Sequence, residues 1–375
     1  MLVLFWASIA LIIYTYLGYP LALVLLSLGK SRTVEVRKNY LPPVTLIVTV
    51  FNEAERIEKK IANTLELDYP RDRLEIIFAS DASTDGTDDI IRSYGSKGIG
   101  LVRSPNRGGK ENAQKCAIEQ AYGEIIVFTD VATMLEKDGI RNIVSNFADP
   151  GVGCVSSEDR FINPDGTISG EGAYVKYEMW LRSIESRVNS VVGLSGSFFA
   201  ARKDVCNNWP TNIPSDFNTL LNTIRAGCRG ISDSRSVGIY TNIKDEKKEF
   251  DRKVRTITRG ISALFANAAL MNPTKFGLFS WQLVSHKLLR WCVPWFLAAA
   301  FVANLFLLSA GKLKYALMFV TQLVFYGLAL SKGSSESRGI IKIPRYFVQT
   351  NWAIAVAWAK FLKGERFVTW KPSSR

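Results

Sequence analysis

Hydrophobic positions fall into two regimes along this chain. Leu2 to Leu28 is a run of 27 residues without a charged side chain, which at 1.5 Å per helical residue exceeds a hydrocarbon core of ~30 Å. It predicts a transmembrane helix; a cleaved leader would need a basic start, a shorter apolar run and a small-residue cleavage site. Trp291 to Ser309 and Leu313 to Ser331 are two further apolar runs, parted by a short loop with Lys312 and Lys314, and predict a hairpin across the bilayer. Tyr346 to Phe361 is interrupted by Gln349, Thr350 and Asn351, so it either spans or lies along the surface.

Between these runs, short apolar stretches alternate with amphipathic ones, which predicts strands and helices of a mostly parallel α/β sheet. Val44 to Val50, Leu74 to Ala79, Gly98 to Arg103 and Glu124 to Phe128 are expected strands. Glu55 to Leu65, Asp85 to Tyr94 and Lys110 to Ala121 are the helices between them. Gly170 to Val188 reads as a long helix, Gly196 to Ala201 as a strand and Asp216 to Ala226 as a helix. Glu249 to Met271 is basic and amphipathic and suits a membrane interface. The expected segments are a membrane helix over 1–29, an α/β domain over 30–248, interfacial helices over 249–290, the hairpin over 291–331 and a basic C-terminal segment over 332–375.

A formal charge of +13 would suit nucleic acid, yet much of it flanks the apolar runs: Lys30, Arg32, Arg37 and Lys38, then Lys332, Arg338, Lys342 and Arg345, then Lys360, Lys363, Arg366, Lys371 and Arg375. That is the positive-inside pattern. It argues against a nucleic-acid partner, and it puts the α/β domain in the cytoplasm and Met1 outside. The five cysteines are scattered, which indicates neither a zinc site nor a disulfide framework. The single histidine, His286, stands beside a membrane run, so a histidine-based triad in the soluble domain is not expected.

Ligands of open α/β sheets collect at the carboxyl ends of the strands, and here those ends are polar. The first leads into Asn52-Glu53, and the second into Asp81-Ala82-Ser83-Thr84-Asp85-Gly86-Thr87. The third leads to Asn106-Arg107-Gly108-Gly109-Lys110, a basic turn before a helix that suits a diphosphate without being a Walker loop. The fourth delivers Asp130. Any one of these is an ordinary cap or turn; four in order are not.

This series resembles the nucleotide-sugar binding half of glycosyltransferase family 2, which has the GT-A fold, and the likeness continues through Gly170-Glu171, Ser195-Gly196-Ser197, Ser215-Asp216, Arg252 to Arg255 and the closing Phe367 to Pro372. The resemblance implies a GT-A-like mixed, mostly parallel sheet flanked by helices, with transmembrane helices at both ends. It implies that Asn52, Glu53, Asp81 and Lys110 hold the donor, and that Asp130 ligates a divalent cation, Mg²⁺ or Mn²⁺, on the donor diphosphate. Asp216 falls at the position of the catalytic base, and Glu171, Ser197, Arg255 and Arg259 on the acceptor or product side.

The implied activity is an inverting hexosyl or N-acetylhexosaminyl transfer from a nucleotide sugar, a UDP-sugar, to a lipid-linked or polysaccharide acceptor at a membrane, the bacterial inner membrane, in cell-surface polysaccharide synthesis. Three positions depart from the family pattern: Ala132 replaces a second metal-side acid, Ser215 precedes the base, and Thr256-Ile-Thr-Arg259-Gly260 replaces the Gln-x-x-Arg-Trp of polymerising members. Two other readings stay open, a processive synthase that also translocates its product and a catalytically degenerate scaffold subunit.

Overall fold

The computed structural model describes residues 1–29, 31–162, 173–241, 246–330, 342–365 and 367. Glu171, the basic segment 332–341 and most of the closing Phe367 to Pro372 motif lie outside them. Among the described residues, strands β1 (Val44–Val50), β2 (Leu74–Ser80), β3 (Ile99–Arg103), β4 (Ile125–Asp130), β5 (Met134–Leu135), β6 (Val152–Ile162), β7 (Phe198–Arg202) and β8 (Arg229–Thr241) form one sheet in the order β3-β2-β1-β4-β7-β6-β8-β5. β1 is parallel to β2 and β4, and β2 to β3; β7 runs antiparallel between β4 and β6. The sheet is therefore mixed, with a parallel half built from the first four strands.

Every residue of β1 is buried, because helices cover both faces of a parallel strand. Leu46, Val48 and Val50 point into one core and Ile47 into the other, the period of two that sends alternate side chains through opposite faces. The first core is covered by helices α1 (Ile57–Leu65) and α2 (Thr87–Ser93), and the second by α3 (Lys110–Gln120), α4 (Ser215–Arg225) and the segment leading to the membrane.

Strands β5, β6 and β8 are absent from the sequence expectation. β6 and β8 pair in parallel with a register shift between Ser157 and Glu158, and their Ser, Asp and Arg positions dilute the apolar alternation. Helix α5 (Ala173–Val188) packs Leu181, Ile184 and Val188 against Tyr19 and Leu23 of the N-terminal apolar helix.

Among the described residues, three helices are long and apolar enough to cross a bilayer: Leu2–Gly29, Leu278–Leu307 and Leu313–Leu330, here called M1, M2 and M3. M2 begins at Leu278, thirteen residues before the expected Trp291. Its polar first turns continue the helix because neighbouring helices satisfy them: Gln282 donates to the Glu185 carbonyl, and His286 and Arg290 meet acids of α5. Phe5 of M1 packs against Ala300 and Ala303 of M2 and Tyr315 of M3, and Asn304 donates to Gln322 across the hairpin at 3.1 Å. Helices α6 (Glu246–Ala266) and α7 (Lys342–Leu362) pack on each other through Val254, Ile261, Ala353 and Ala357.

One close approach in the parallel half is decisive. A Cβ on Gly123 would lie 2.3 Å from the Thr45 amide nitrogen and 2.6 Å from the Val44 carbonyl carbon, backbone atoms that cannot swing aside. Gly123→Ala should therefore part β4 from β1 and cost about 1 to 3 kcal/mol, the usual range for overpacking. Thermal unfolding of the detergent-solubilised chain checks this, and an unchanged midpoint would show that the two strands can separate without loss.

Candidate active site

The loops at the carboxyl ends of the parallel strands are tied to one another. After β1, Asn52 takes φ +49° and after β2, Ala82 takes φ +59°, left-handed conformations that turn the chain sharply at each strand end. Asn52 Oδ1 then accepts from the Thr84 amide at 2.8 Å, and Asp85 accepts from the Ala54 amide at 3.0 Å. Asp81 is fully buried, and its carboxylate takes the Gly108 and Gly109 amides at 2.8 to 3.0 Å. Burial raises the Asp81 carboxyl above its ordinary value, and these amides work against the rise. Asp81 thus holds the glycine turn, and Gly109, at φ +95°, delivers Lys110 as the first residue of α3.

A cavity of about 440 Å³ opens at the C-terminal end of β4. It gathers Glu53, Lys110, Asp130, Ser197, Asp216, Arg255 and Arg259 from the positions singled out in the sequence; Asn52 and Asp81 do not line it. Lys110 Nζ donates to Asp130 Oδ1 and to the Gly196 carbonyl, both at 2.7 Å. One ammonium thereby ties the glycine turn, β4 and the segment before β7 at the cavity wall. Glu53 is buried against Arg56 at 2.6 Å; burial raises its carboxyl and Arg56 counteracts it. Beneath the wall, Lys60 is fully buried with its ammonium on Thr129 and Thr133, and burial lowers it to about 7.

Asp216 enters from the opposite side. It lies in the first turn of α4, where the residue preceding the helix is Pro214, and no side chain caps the amides. Asp216 has no hydrogen bond or ion pair among the described residues, and its Oδ2 would lie 3.4 Å from a Cβ placed on Gly196. The capping role that such a position often has is not the one seen. The carboxylate is left to face the cavity, across Gly196 from the Lys110–Asp130 pair.

Glu111, Arg182, Tyr240, Lys287 and Trp291 also line the cavity and escaped the sequence reading. Asp159 accepts from Ser195 at 2.6 Å and from Tyr240 at 2.9 Å, and Ser197 also meets the Tyr240 hydroxyl. Burial and the Asp159 charge raise the Tyr240 phenol well above its usual value. Arg259 pairs at 2.7 Å with Glu111, which is 2% exposed. Arg182, Lys287 and Trp291 come from α5 and M2. A Cβ on Gly260 would lie 2.9 Å from the Trp291 ring, so the glycine makes room for an indole from the membrane helix. A hydrophobicity pattern identifies Trp291 only as part of an apolar run and carries no signal for this placement.

Residues 45–208 match the model of Glycosyl transferase family 2. Glycosyltransferase AglE of Haloferax volcanii is 29% identical over 133 residues, which are 35% of this chain and 44% of that protein. Poly-beta-1,6-N-acetyl-D-glucosamine synthase of Staphylococcus aureus is 29% identical over 183 residues, 47% of this chain and 43% of that protein. The chain thus spans less than half the length of these curated relatives. A solved mannosyltransferase from Pyrobaculum calidifontis, PcManGT, in complex with GDP-Man and Mn²⁺, superposes with a TM-score of 0.75 at 26% identity, over 96% of this chain and 99% of that one. The strand-end series, the tied loops around Asp130 and these likenesses agree: residues 45–208 are a glycosyltransferase family 2 domain of the GT-A fold.

Proposed function

We propose that the chain transfers one sugar, with inversion, from a nucleoside-diphosphate sugar to a lipid-linked or polysaccharide acceptor at the membrane, in cell-surface polysaccharide synthesis. The observation that carries this reading is Asp216, a carboxylate without a partner, facing the Lys110–Asp130 pair across one cavity. The acceptor hydroxyl gives its proton to Asp216 as its oxygen attacks the anomeric carbon. The bond to the diphosphate oxygen breaks on the far side, and a single displacement inverts the centre. Lys110 and Arg259 stand where charge builds on the departing diphosphate.

Asp130 suits a hard divalent cation, being a carboxylate at a strand end that opens on the cavity. With Ala132 at the neighbouring position, and no cluster of three His, Cys, Asp or Glu among the described residues, the remaining ligands would be donor phosphate oxygens and water. Such a cation would neutralise the leaving diphosphate. The sequence suggests a UDP-sugar, whereas the similar mannosyltransferase was solved with GDP-Man, so both nucleotides belong in a test.

A processive synthase is the second reading, favoured by the likeness to the poly-N-acetylglucosamine synthase and opposed by Thr256 and Gly260. A degenerate scaffold has no evident use for an unpaired Asp216.

The reading is tested by offering the purified chain a panel of UDP- and GDP-sugars and following thermal protection with Mn²⁺ or with chelator. One sugar class should protect, only with the metal, and Asp130→Asn should lose the effect. Transfer assays with that donor should yield single additions. No protection by any donor would remove the function, and a ladder of products would favour the synthase.

Asp216→Asn keeps the volume of the side chain but cannot take a proton. Because general base catalysis contributes ~10² to 10⁴ in rate, the variant should bind donor normally and lose at least about a hundredfold in turnover. Turnover within a few-fold of the parent would move the base elsewhere.

The basic residues flanking M1 and α7 put the domain in the cytoplasm with Met1 outside. A reporter active only outside the cytoplasm, inserted after Gly109, should be silent; activity there would reverse the orientation.

A further inference from the structure

Helix α3 opens with two residues of opposite charge, Lys110 and Glu111. Lys110 reaches Asp130 at the cavity wall. Glu111 is 2% exposed, and its Oε1 lies 2.7 Å from Nη2 of Arg259, a residue of α6. A glutamate in a first helical turn ordinarily stays in water and favours its own helix through the positive end of the dipole. Glu111 does not: its Oε2 is buried without a hydrogen-bond partner, and among the described residues Arg259 is its one ion-pair partner. Such a carboxylate is costly to strand, so the pair holds.

The pair gives Arg259 a direction. Arg252, Arg255 and Arg259 line the cavity from α6, three and four residues apart and therefore on one face of the helix. Burial and the like charges of Arg259 and Arg252 lower Arg255 from its ordinary value, so the three guanidinium groups repel one another. Arg252 is held by Glu249 and Arg259 by Glu111. Arg259 Nε and Nη2 are buried, which leaves Nη1 as the donor toward the cavity. A long side chain loses its torsional freedom when a buried acid grips one end of the planar fork, and the other end is then aimed before a ligand arrives.

We propose that Glu111 is a positioning residue, whose buried carboxylate aims the Arg259 guanidinium at the donor's diphosphate. The proposal rests on the transferase reading above, in which Arg259 faces the departing diphosphate, and it adds the residue that sets that direction. An ionised carboxylate has only acceptors and repels a diphosphate, so Glu111 acts through Arg259. The start of α3 thereby sets two cations at once, Lys110 directly and Arg259 from across the fold.

Aiming and plain electrostatics differ in sign. Removing an anion from the cavity wall by itself tightens every phosphate ligand, whereas losing the aim of Arg259 costs the diphosphate and spares the monophosphate. A purely structural pair would weaken both nucleotides together.

The test titrates the full chain in detergent micelles with UDP, UMP, GDP and GMP in the presence of Mn²⁺, by calorimetry, with thermal unfolding followed alongside. In the parent, one base should give a diphosphate affinity well above that of its monophosphate. Glu111→Gln should lower this ratio about tenfold, the scale of a hydrogen bond to a charged group, with the monophosphate bound no more weakly than by the parent. Arg259→Gln should lower the ratio as far, and Glu111→Gln with Arg259→Gln no further than Arg259→Gln alone, because two residues acting through one contact are not additive. Each single variant strands a buried charge, so the double variant should recover part of the lost thermal midpoint. Glu111→Asp, which keeps the charge on a shorter arm, should fall between the parent and Glu111→Gln, and it supplies the comparison if the latter does not fold.

An unchanged ratio in Glu111→Gln, or in Glu111→Asp where only that variant folds, would overturn the proposal. So would a double variant with a lower ratio than Arg259→Gln, because Glu111 would then act by another route. Arg259→Gln with the parental ratio would do the same, since there would be nothing to aim. A parent that binds neither UDP nor GDP would sink the transferase reading, whereas a parent that binds one of them with a ratio that resists every variant would sink only the positioning role.

Discussion

The buried carboxylate of Glu185 joins the catalytic domain to its membrane helices. From the last turn of α5 it accepts the Tyr19 hydroxyl of M1 at 2.5 Å and meets His286 Nδ1 of M2 at 2.6 Å. Two turns back on the same helix, Glu178 pairs with Arg290, also on M2. Burial would raise the Glu178 carboxyl, but Arg290 and His286 beside it hold it well below the usual carboxylate range. Charges at the edge of an apolar layer are retained when they are paired, and this pairing ties α5 to both helices at once. M1 and M2 each contain a π-helical turn, Tyr14–Gly18 and Val284–Leu288. The two turns meet through Tyr14 and Ser285 at 2.8 Å, and Trp281, just before the second turn, donates to the Tyr14 hydroxyl at 2.9 Å. A π turn shifts the side chains that follow it around the helix axis, so the registers of Arg290 and Trp291 depend on that turn.

That connection determines what the cavity is. The half near β4 is built by the sheet, where Asp81 holds the glycine turn and Lys110 bridges Asp130 to Gly196. The other half is built by α5, α6 and M2, which contribute the arginines, Lys287 and Trp291. A cavity walled on one side by the α/β domain and on the other by long apolar helices is the arrangement that the proposed transfer from a polar donor to a membrane-borne acceptor would need. Gly260 shows how closely the halves fit, since an added Cβ there would strike the Trp291 ring.

Much of the parallel half was legible. The runs Val44–Val50, Leu74–Ser80 and Ile99–Arg103 are apolar and short, and the polar residues that follow each of them reveal the ligand-facing edge. Glu53, Lys110, Asp130, Ser197, Asp216, Arg255 and Arg259 do share one cavity. The roles within the series were less legible: Asp81 reads as a donor contact, yet its oxygens are taken by two backbone amides. β6 and β8 went unread because their pairing joins segments about 80 residues apart through polar positions, and a local pattern does not record such a partner.

The sequence by itself determined the membrane runs, the parallel strands and the order of polar strand ends, because each depends on hydrophobicity and periodicity within a short window. The tertiary structure decided which charges are matched. Lys110 and Asp130 are 20 residues apart, Glu111 and Arg259 are 148, and Glu185 and His286 are 101. Which cation meets which acid, and which meets none, follows only once the sheet and the membrane helices have packed around the same cavity.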